Sequence, residues 1–428
     1  MTAITDESTL AALARRWRDP AAWLATVDAF AILTAASLPW STSLPAIFAA
    51  AMLVAMLPFL DVRALLASLK RPICAVPIAF FLLALAGTLW SDAPWSVRLY
   101  AVGPTVKLLM LPVLLFHFER SKRGLFVFTA FLISCTLLAI MSWIVAFDPG
   151  LSLKPAAEVT RGIFVKNYID QSQEFTLCAV ALAYPVITLL RAGKTGLALL
   201  LCAIALGLVL TMTFVIVSRT ALVTMPIMLA VFGLMHLNRR INLMILCAAV
   251  VAAAIAWAAS PQLQRTVTTF ARDYQLYREQ GTSTSIGERL EFWRKSLGFF
   301  ADAPIIGHGT GATHHLFEQA ATGPTVLASA RVVSNPHNQT LNAAVQWGVI
   351  GIAVLYAMWL LHLLLFRGAD LSSWIGLLVV VQNIFTSLFN SHLFDFHEGW
   401  MYVLGVGVAG GMVLKARQSD SRPRAGCL

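Results

Sequence analysis

Apolar residues in this chain fall in long runs broken by short polar clusters, a pattern that predicts membrane-spanning helices. A spanning helix needs about 20 mostly apolar residues. Counted that way, about twelve candidates appear. The first nine are near Val27–Trp40, Leu44–Leu60, Pro72–Trp90, Leu99–Phe118, Leu125–Phe147, Phe175–Leu190, Thr195–Val217, Thr220–Leu237 and Ile241–Ala259. After one long polar stretch, Ser260 to Asn335, three more follow near Asn338–Phe366, Leu371–Phe389 and Gly399–Leu414. The fourth run contains Gly103, Pro104 and Lys107, which predicts a broken or partly sheltered helix. There is no convincing internal repeat, which disfavours an inverted-repeat transporter.

Composition agrees with this pattern. Of 428 residues, 58% are hydrophobic and only 12% are charged, against roughly 25% charged in soluble domains. The net charge is +10. Nucleic-acid binding would need the cations clustered on polar surface, and here they are spread between apolar runs. Six cysteines offer neither a disulfide framework nor zinc spacing, and Cys427 lies too near the end for a prenylation box. Met1 to Pro20 is polar and carries Asp6 and Glu7, unlike a signal peptide.

The Lys/Arg distribution predicts orientation. With a cytoplasmic N-terminus, 18 of the 31 Lys and Arg fall on the inner side, while the long loop is exempt from the rule. The expected organisation is an all-α integral membrane protein with both termini cytoplasmic. Residues 1–20 form a cytoplasmic segment, 21–259 hold spans one to nine, 260–335 form a large outer loop containing short helices (periplasmic on the resemblance given below), 336–416 hold spans ten to twelve, and 417–428 form a cytoplasmic tail.

Candidate chemistry collects on the outer side. Ser218-Arg219-Thr220 is the only polar break between two spans, so Arg219 stays near the bilayer surface. It either snorkels at a helix end or meets an anionic partner, and a diphosphate suits a guanidinium fork. Gly287–Phe300 reads as an amphipathic helix with Leu290, Trp293, Leu297 and Phe300 on one face, flanked by Arg289 and Arg294. His337 lies in Ser334-Asn335-Pro336-His337-Asn338. Asn335 as N-cap and Pro336 at the first helical position would set His337 in the first turn, where a positive helix end favours the neutral imidazole. That is the form a general base needs, and a histidine hydrogen-bonding the loop is the alternative. Arg161 and Lys166, in Arg161-Gly162-Ile163-Phe164-Val165-Lys166, could meet lipid phosphate or a substrate diphosphate equally well.

The remaining polar features predict less. Gly307, Gly309 and Gly311 follow no strand, so with His308, His314 and His315 they read as a loop turn, not a nucleotide site. His392, Asp395, His397 and Glu398 are metal-ligand types, but near neighbours in a short loop rarely converge, so no metal is expected. Asn342, Gln346, Gln382 and Asn383 read as hydrogen bonds between helices.

Taken together, Ser218-Arg219-Thr220, Gly287-Glu288-Arg289-Leu290 with Trp293-Arg294, Pro304 with Gly307-His308-Gly309, and Pro336-His337-Asn338 resemble the O-antigen ligase and polymerase superfamily. The resemblance runs from about Arg161 to Asn390, and each motif is short. It implies a GT-C-like membrane glycosyltransferase of the bacterial inner membrane. Such a ligase moves a polysaccharide from undecaprenyl diphosphate to a sugar hydroxyl of lipid A-core at the periplasmic face, in lipopolysaccharide biosynthesis, without nucleotide sugar, cofactor or metal. By position, Arg219 and Arg289 match the family's functional arginines and His337 its functional histidine, with Arg161, Lys166 and Arg294 as candidate diphosphate contacts. The single large late loop favours ligase over polymerase. Protein O-oligosaccharyltransferases share similar motifs, and a transporter of an anionic lipid or solute, centred on Lys107, is the reading from another class.

Overall fold

The structure, a computed structural model, describes residues 19–153 and 162–421 and contains no strand among them. The chain begins with α1 (Pro20–Ser37), α2 (Ser43–Met56), α3 (Val62–Leu69), α4 (Pro72–Ala86), α5 (Trp95–Val106), α6 (Met110–Phe118) and α7 (Gly124–Phe147). It resumes with α8 (Tyr168–Ala181), α9 (Ala183–Arg191), α10 (Thr195–Phe214), α11 (Arg219–His236) and α12 (Arg239–Ala259). Then come α13 (Pro261–Gln280), α14 (Ser285–Asp302) and α15 (Thr313–Gln319), before α16 (Gln339–Leu365), α17 (Leu371–Thr386) and α18 (Phe396–Ser421). Among the described residues, ten helices are long and apolar enough to cross a membrane, with α5–α6 and α8–α9 each acting as one. Two shorter apolar helices, Ser43–Phe59 and Leu371–Thr386, bring the set to the twelve expected. This is a multi-pass, all-helical membrane protein.

The fourth crossing is interrupted as its sequence predicts. Pro104 lies inside α5, and a 3-10 turn over Lys107–Leu109 joins it to α6. Lys107 is buried there, donating to the carbonyl oxygens of Phe394, at 2.9 Å, and Asp395.

The core is organised around α18, which is buried from Trp400 to Val408 and packs on α6 and α17. A side chain added at Gly407, Gly410 or Gly411 would strike Leu114, Leu115 or Phe118 of α6. Small residues that let backbones approach replace the hydrophobic drive that lipid cannot supply.

The large loop differs from expectation in its helices. Two of the three are long: α13 has 20 residues and α14 has 18. The Ser260 hydroxyl accepts from Leu263 N at 3.1 Å, Pro261 occupies the first position, and Gly281 closes α13 with φ +65°. These are ordinary start and stop devices. On α14, the expected apolar stripe leaves Leu297 exposed, while Ile286, Glu291, Phe292, Lys295 and Ser296 are buried. The helix is held by its other side, which packs on α13 and α16.

That loop is locked to the bundle where α16 breaks. Gly348 adopts φ +60° and ψ −151°, a region open to glycine almost alone. The break frees backbone groups, and the segment after α14 takes them up. Val349 N donates to Pro304 O at 2.8 Å, and Ile350 N to Ile305 O at 3.4 Å. In return, His308 N donates to Val345 O and Gly309 N to Gln346 O, both at 2.9 Å. Irregular backbone among apolar helices persists only where protein satisfies it in this way. The glycine-rich turn is therefore a close-approach device, since a Cβ on Gly307 would meet the backbone of Gln346.

Gly348→Ala would combine a forbidden backbone region with a clash on the Ile305 carbonyl. It is expected to cost roughly 2 kcal/mol or more, read as a lower unfolding midpoint in detergent. Gly103→Ala, whose added Cβ meets nothing, should be neutral or slightly stabilising. Equal midpoints for the two variants would show that the break does not hold the loop.

Candidate functional site

His337 lies where α16 begins, but not within its first turn. Asn338 is the N-cap, accepting from Leu341 N at 3.0 Å. Asn335, expected as the cap, instead accepts from His337 N at 2.9 Å. This local turn holds His337 at φ +54°, outside the helical region. The helix thus starts three residues later than the Asn-Pro pair suggests, because an Asn side chain two residues upstream competes for the same amide.

The imidazole is fixed on two sides. Its ring stacks on Phe292 of α14, with centroids 5.9 Å apart and planes 27° apart. Nδ1 lies 2.7 Å from Oδ1 of Asn390. The Asn390 amide is itself oriented, since its Nδ2 donates to Asp395 Oδ2 at 2.6 Å and its Oδ1 also accepts from Asn335 Nδ2 at 3.3 Å. An amide oxygen can only accept, so Nδ1 of His337 carries the proton and the lone pair is on Nε2. Burial, assisted by the Arg289 charge, pushes His337 below the ordinary histidine range. At neutral pH the ring is therefore uncharged.

The two arginines converge on the same neighbourhood. Arg289 is half-buried on α14, and its charge acts on both His337 and Arg219. Burial, then the nearby Arg219 charge, pulls Arg289 below the usual arginine range against the raising effect of Tyr168. Arg219 opens α11 beneath α13. Its Nη2 is 3.2 Å from Asp273 Oδ2, and its guanidinium carbon is 5.7 Å from the centre of the Phe270 ring. Two guanidinium groups in one partly dry region concentrate positive charge there, with Asp273 in contact with Arg219.

The other expected contacts are placed differently. Arg294 is exposed and grips Glu291 with Nε at 3.1 Å and Nη2 at 2.6 Å. The Glu291 carboxylate also accepts from Tyr277 at 3.2 Å, so Arg294 belongs to the α13–α14 seam. Lys166 is buried, not surface-lying. It donates to the Leu38 carbonyl, and its ammonium is 3.9 Å from Glu174. Burial lowers its pKa. Arg161 lies outside the described residues. The remaining loop histidines are structural or exposed: His308 Nε2 bonds the Phe299 carbonyl at 2.7 Å, and His315 pairs with Gln319 at 2.8 Å.

Beneath His337 lies a buried polar layer that the span pattern concealed. It comprises Asp170 and Glu174 of α8, Lys107, and the turn into α18 with His392, Asp395, His397 and Glu398. His397 Nδ1 is 2.6 Å from Asp170 Oδ2. Contrary to the expectation for a short loop, His392, Asp395 and Glu398 bring ligand atoms within 4.8 Å of one another. Asn390 was missed because an Asn in a short turn carries no spacing signal. Asp170 and Glu174 precede the apolar run at Phe175, although their spacing of four already set both on one helical face.

Comparison with known proteins bears on the same residues. No curated protein matches the chain significantly. Residues 201–356 match the family model described as O-Antigen ligase, a stretch that contains Arg219, Arg289 and His337. The match covers 156 of the 428 residues and shows that this stretch is similar to the O-antigen ligase family.

Proposed function

We propose that this protein transfers a polysaccharide from undecaprenyl diphosphate to a sugar hydroxyl of lipid A-core. The reaction takes place at the periplasmic face of the bacterial inner membrane, with both termini cytoplasmic. The observation that carries this reading is His337 with its Nδ1 2.7 Å from the Asn390 amide oxygen, near the Arg289 charge, which in turn neighbours Arg219. An O-antigen ligase or polymerase type of activity follows from the family match. The ligase choice rests on the single large loop, and the orientation on the Lys/Arg bias.

The acceptor hydroxyl gives its proton to His337 Nε2 while its oxygen bonds to the anomeric carbon of the donor sugar. The bond from that carbon to the diphosphate oxygen breaks, and the electron pair leaves with the diphosphate. Arg219 and Arg289 stabilise the charge that grows there. A single displacement inverts the anomeric centre. Asn390 holds the imidazole in the required tautomer, as the third member of a triad orients its base. An apolar cavity of about 670 Å³ between α1, α7, α8–α9, α10, α17 and α18, lined by Leu38, Phe131, Leu177, Tyr184, Leu201 and Leu404, suits an isoprenoid chain. Transport centred on Lys107 loses its main support, because that ammonium is engaged with two backbone carbonyls.

His337→Ala in purified protein, given defined donor and acceptor, should lower turnover by about 10²–10⁴-fold with donor binding retained. Wild-type turnover would refute the base assignment. In the native enzyme, kcat/KM should fall on acidification as His337 gains its proton, with a midpoint below the ordinary histidine value because burial disfavours the cation. Asn390→Asp sets a carboxylate against the ring and should move that midpoint upward, whereas Asn390→Leu should cost roughly tenfold in kcat through loss of one hydrogen bond. A midpoint that ignores Asn390→Asp would remove Asn390 from the mechanism.

A further inference from the structure

We propose that Phe270 and Tyr274 of α13 form a stacking platform for the first sugar of the donor, beside the diphosphate end held by Arg219. The inference rests on the transferase reading and deepens it, assigning a sugar subsite to residues that take no part in the displacement.

Helix α13 carries one narrow apolar stripe. Leu263, Val267, Phe270, Tyr274 and Tyr277 fall within about 80° of arc on a helix of 3.6 residues per turn. Both ends of the stripe are covered. Leu263 is buried, next to the Ser260 hydroxyl that donates to Thr213 O of α10 at 2.7 Å. Tyr277 lies against Gly287 of α14, where a Cβ would come within 2.6 Å of its ring, and its hydroxyl donates to Glu291 at 3.2 Å. The middle is bare: Val267, Phe270 and Tyr274 are 43%, 52% and 44% exposed. A single exposed apolar residue is ordinary, but three successive members of one stripe, left open between two packed ends, form a binding patch.

Its position indicates what covers it. The Phe270 ring centre is 5.7 Å from the Arg219 guanidinium carbon, and Asp273 on the same helix contacts that arginine at 3.2 Å. The bare stripe therefore starts at the cation assigned to the diphosphate. In the donor, the anomeric carbon is bonded to a diphosphate oxygen, so a sugar ring is the first group met beyond the phosphate. Such a ring has an apolar face of C–H groups and a rim of hydroxyls. A flat aromatic side chain suits the face, and the Tyr274 hydroxyl can both donate to and accept from the rim. An isoprenoid chain has its own place, in the apolar cavity bounded by α8–α10, which no residue of α13 lines.

The test is binding of two probes to the full-length protein in detergent: undecaprenyl diphosphate carrying one hexose, and undecaprenyl diphosphate without sugar. Phe270→Ala and Tyr274→Ala should each weaken the sugar-bearing probe by about tenfold and leave the sugar-free probe unchanged. Phe270→Trp should restore binding, and Phe270→Leu should not. Both of these variants keep a bulky apolar side chain, so the comparison holds even where alanine folds poorly. Equal weakening of both probes would overturn the proposal and show that the patch meets lipid or props Arg219. Leucine as good as phenylalanine would overturn it too, since an aliphatic contact would then suffice. So would unchanged binding in every variant. His337→Ala should still discriminate between the probes, so loss of the platform leaves the base assignment standing. A native protein that binds neither probe would remove the transferase reading and this subsite with it.

Discussion

The exchange of backbone hydrogen bonds at the Gly348 break connects everything else. A helix interrupted among apolar neighbours must find partners for its freed amides and carbonyls, and here Pro304 to Gly309 supplies them. Because that segment directly follows α14, the clamp fixes the far end of the helix that carries Arg289 and Phe292. Phe292 stacks on His337, which precedes the N-cap of α16. The helices α14 and α16 are thus joined at two places, by the clamp at Gly348 and by the Phe292–His337 stack, and these two joints hold the arginine and the histidine of the site. Thr310 extends it, accepting from Trp347 Nε1 at 2.9 Å and donating to Ala84 O at 2.6 Å.

Polarity inside the bundle follows a second rule: each buried charge has a named neighbour. Lys107 is turned to carbonyl oxygens, Asp170 to His397, and Asp395 to Asn390. On the opposite side of the protein, Glu119 receives both contacts of Arg71, at 2.8 and 2.9 Å, and the His117 ring meets Asp28 at 2.8 Å. The difference between the two ends is chemical. The Arg71–Glu119 contact closes on itself through two short bonds, whereas Arg219 has a single contact to Asp273 at 3.2 Å, with the Arg289 charge nearby.

Much of this was legible in the sequence because apolar length is a strong signal. The twelve runs, the broken fourth crossing at Pro104 and Lys107, and the grouping of Arg219, Arg289 and His337 by motif all have counterparts in the fold. What was hidden depended on three-dimensional competition for hydrogen bonds. Asn335 and Asn338 are equally good caps on paper, and only the turn that Asn335 makes with the His337 amide moves the helix start to Gln339. Helix α13 is polar along most of its length. Its stripe of Leu263, Val267, Phe270, Tyr274 and Tyr277 at alternating spacings of four and three was the available clue. Lys166 and Arg294 illustrate the remaining gap, since a cation's sign is visible in a sequence but its partner is not.

The central claim is that His337 is held neutral with its proton on Nδ1, leaving Nε2 to take the acceptor's proton. The most direct measurement is ¹⁵N NMR of histidine-labelled protein near neutral pH, with the His337 signals assigned by difference from His337→Ala. The account predicts a neutral ring protonated at Nδ1. A neutral ring protonated at Nε2, or an imidazolium, would contradict it.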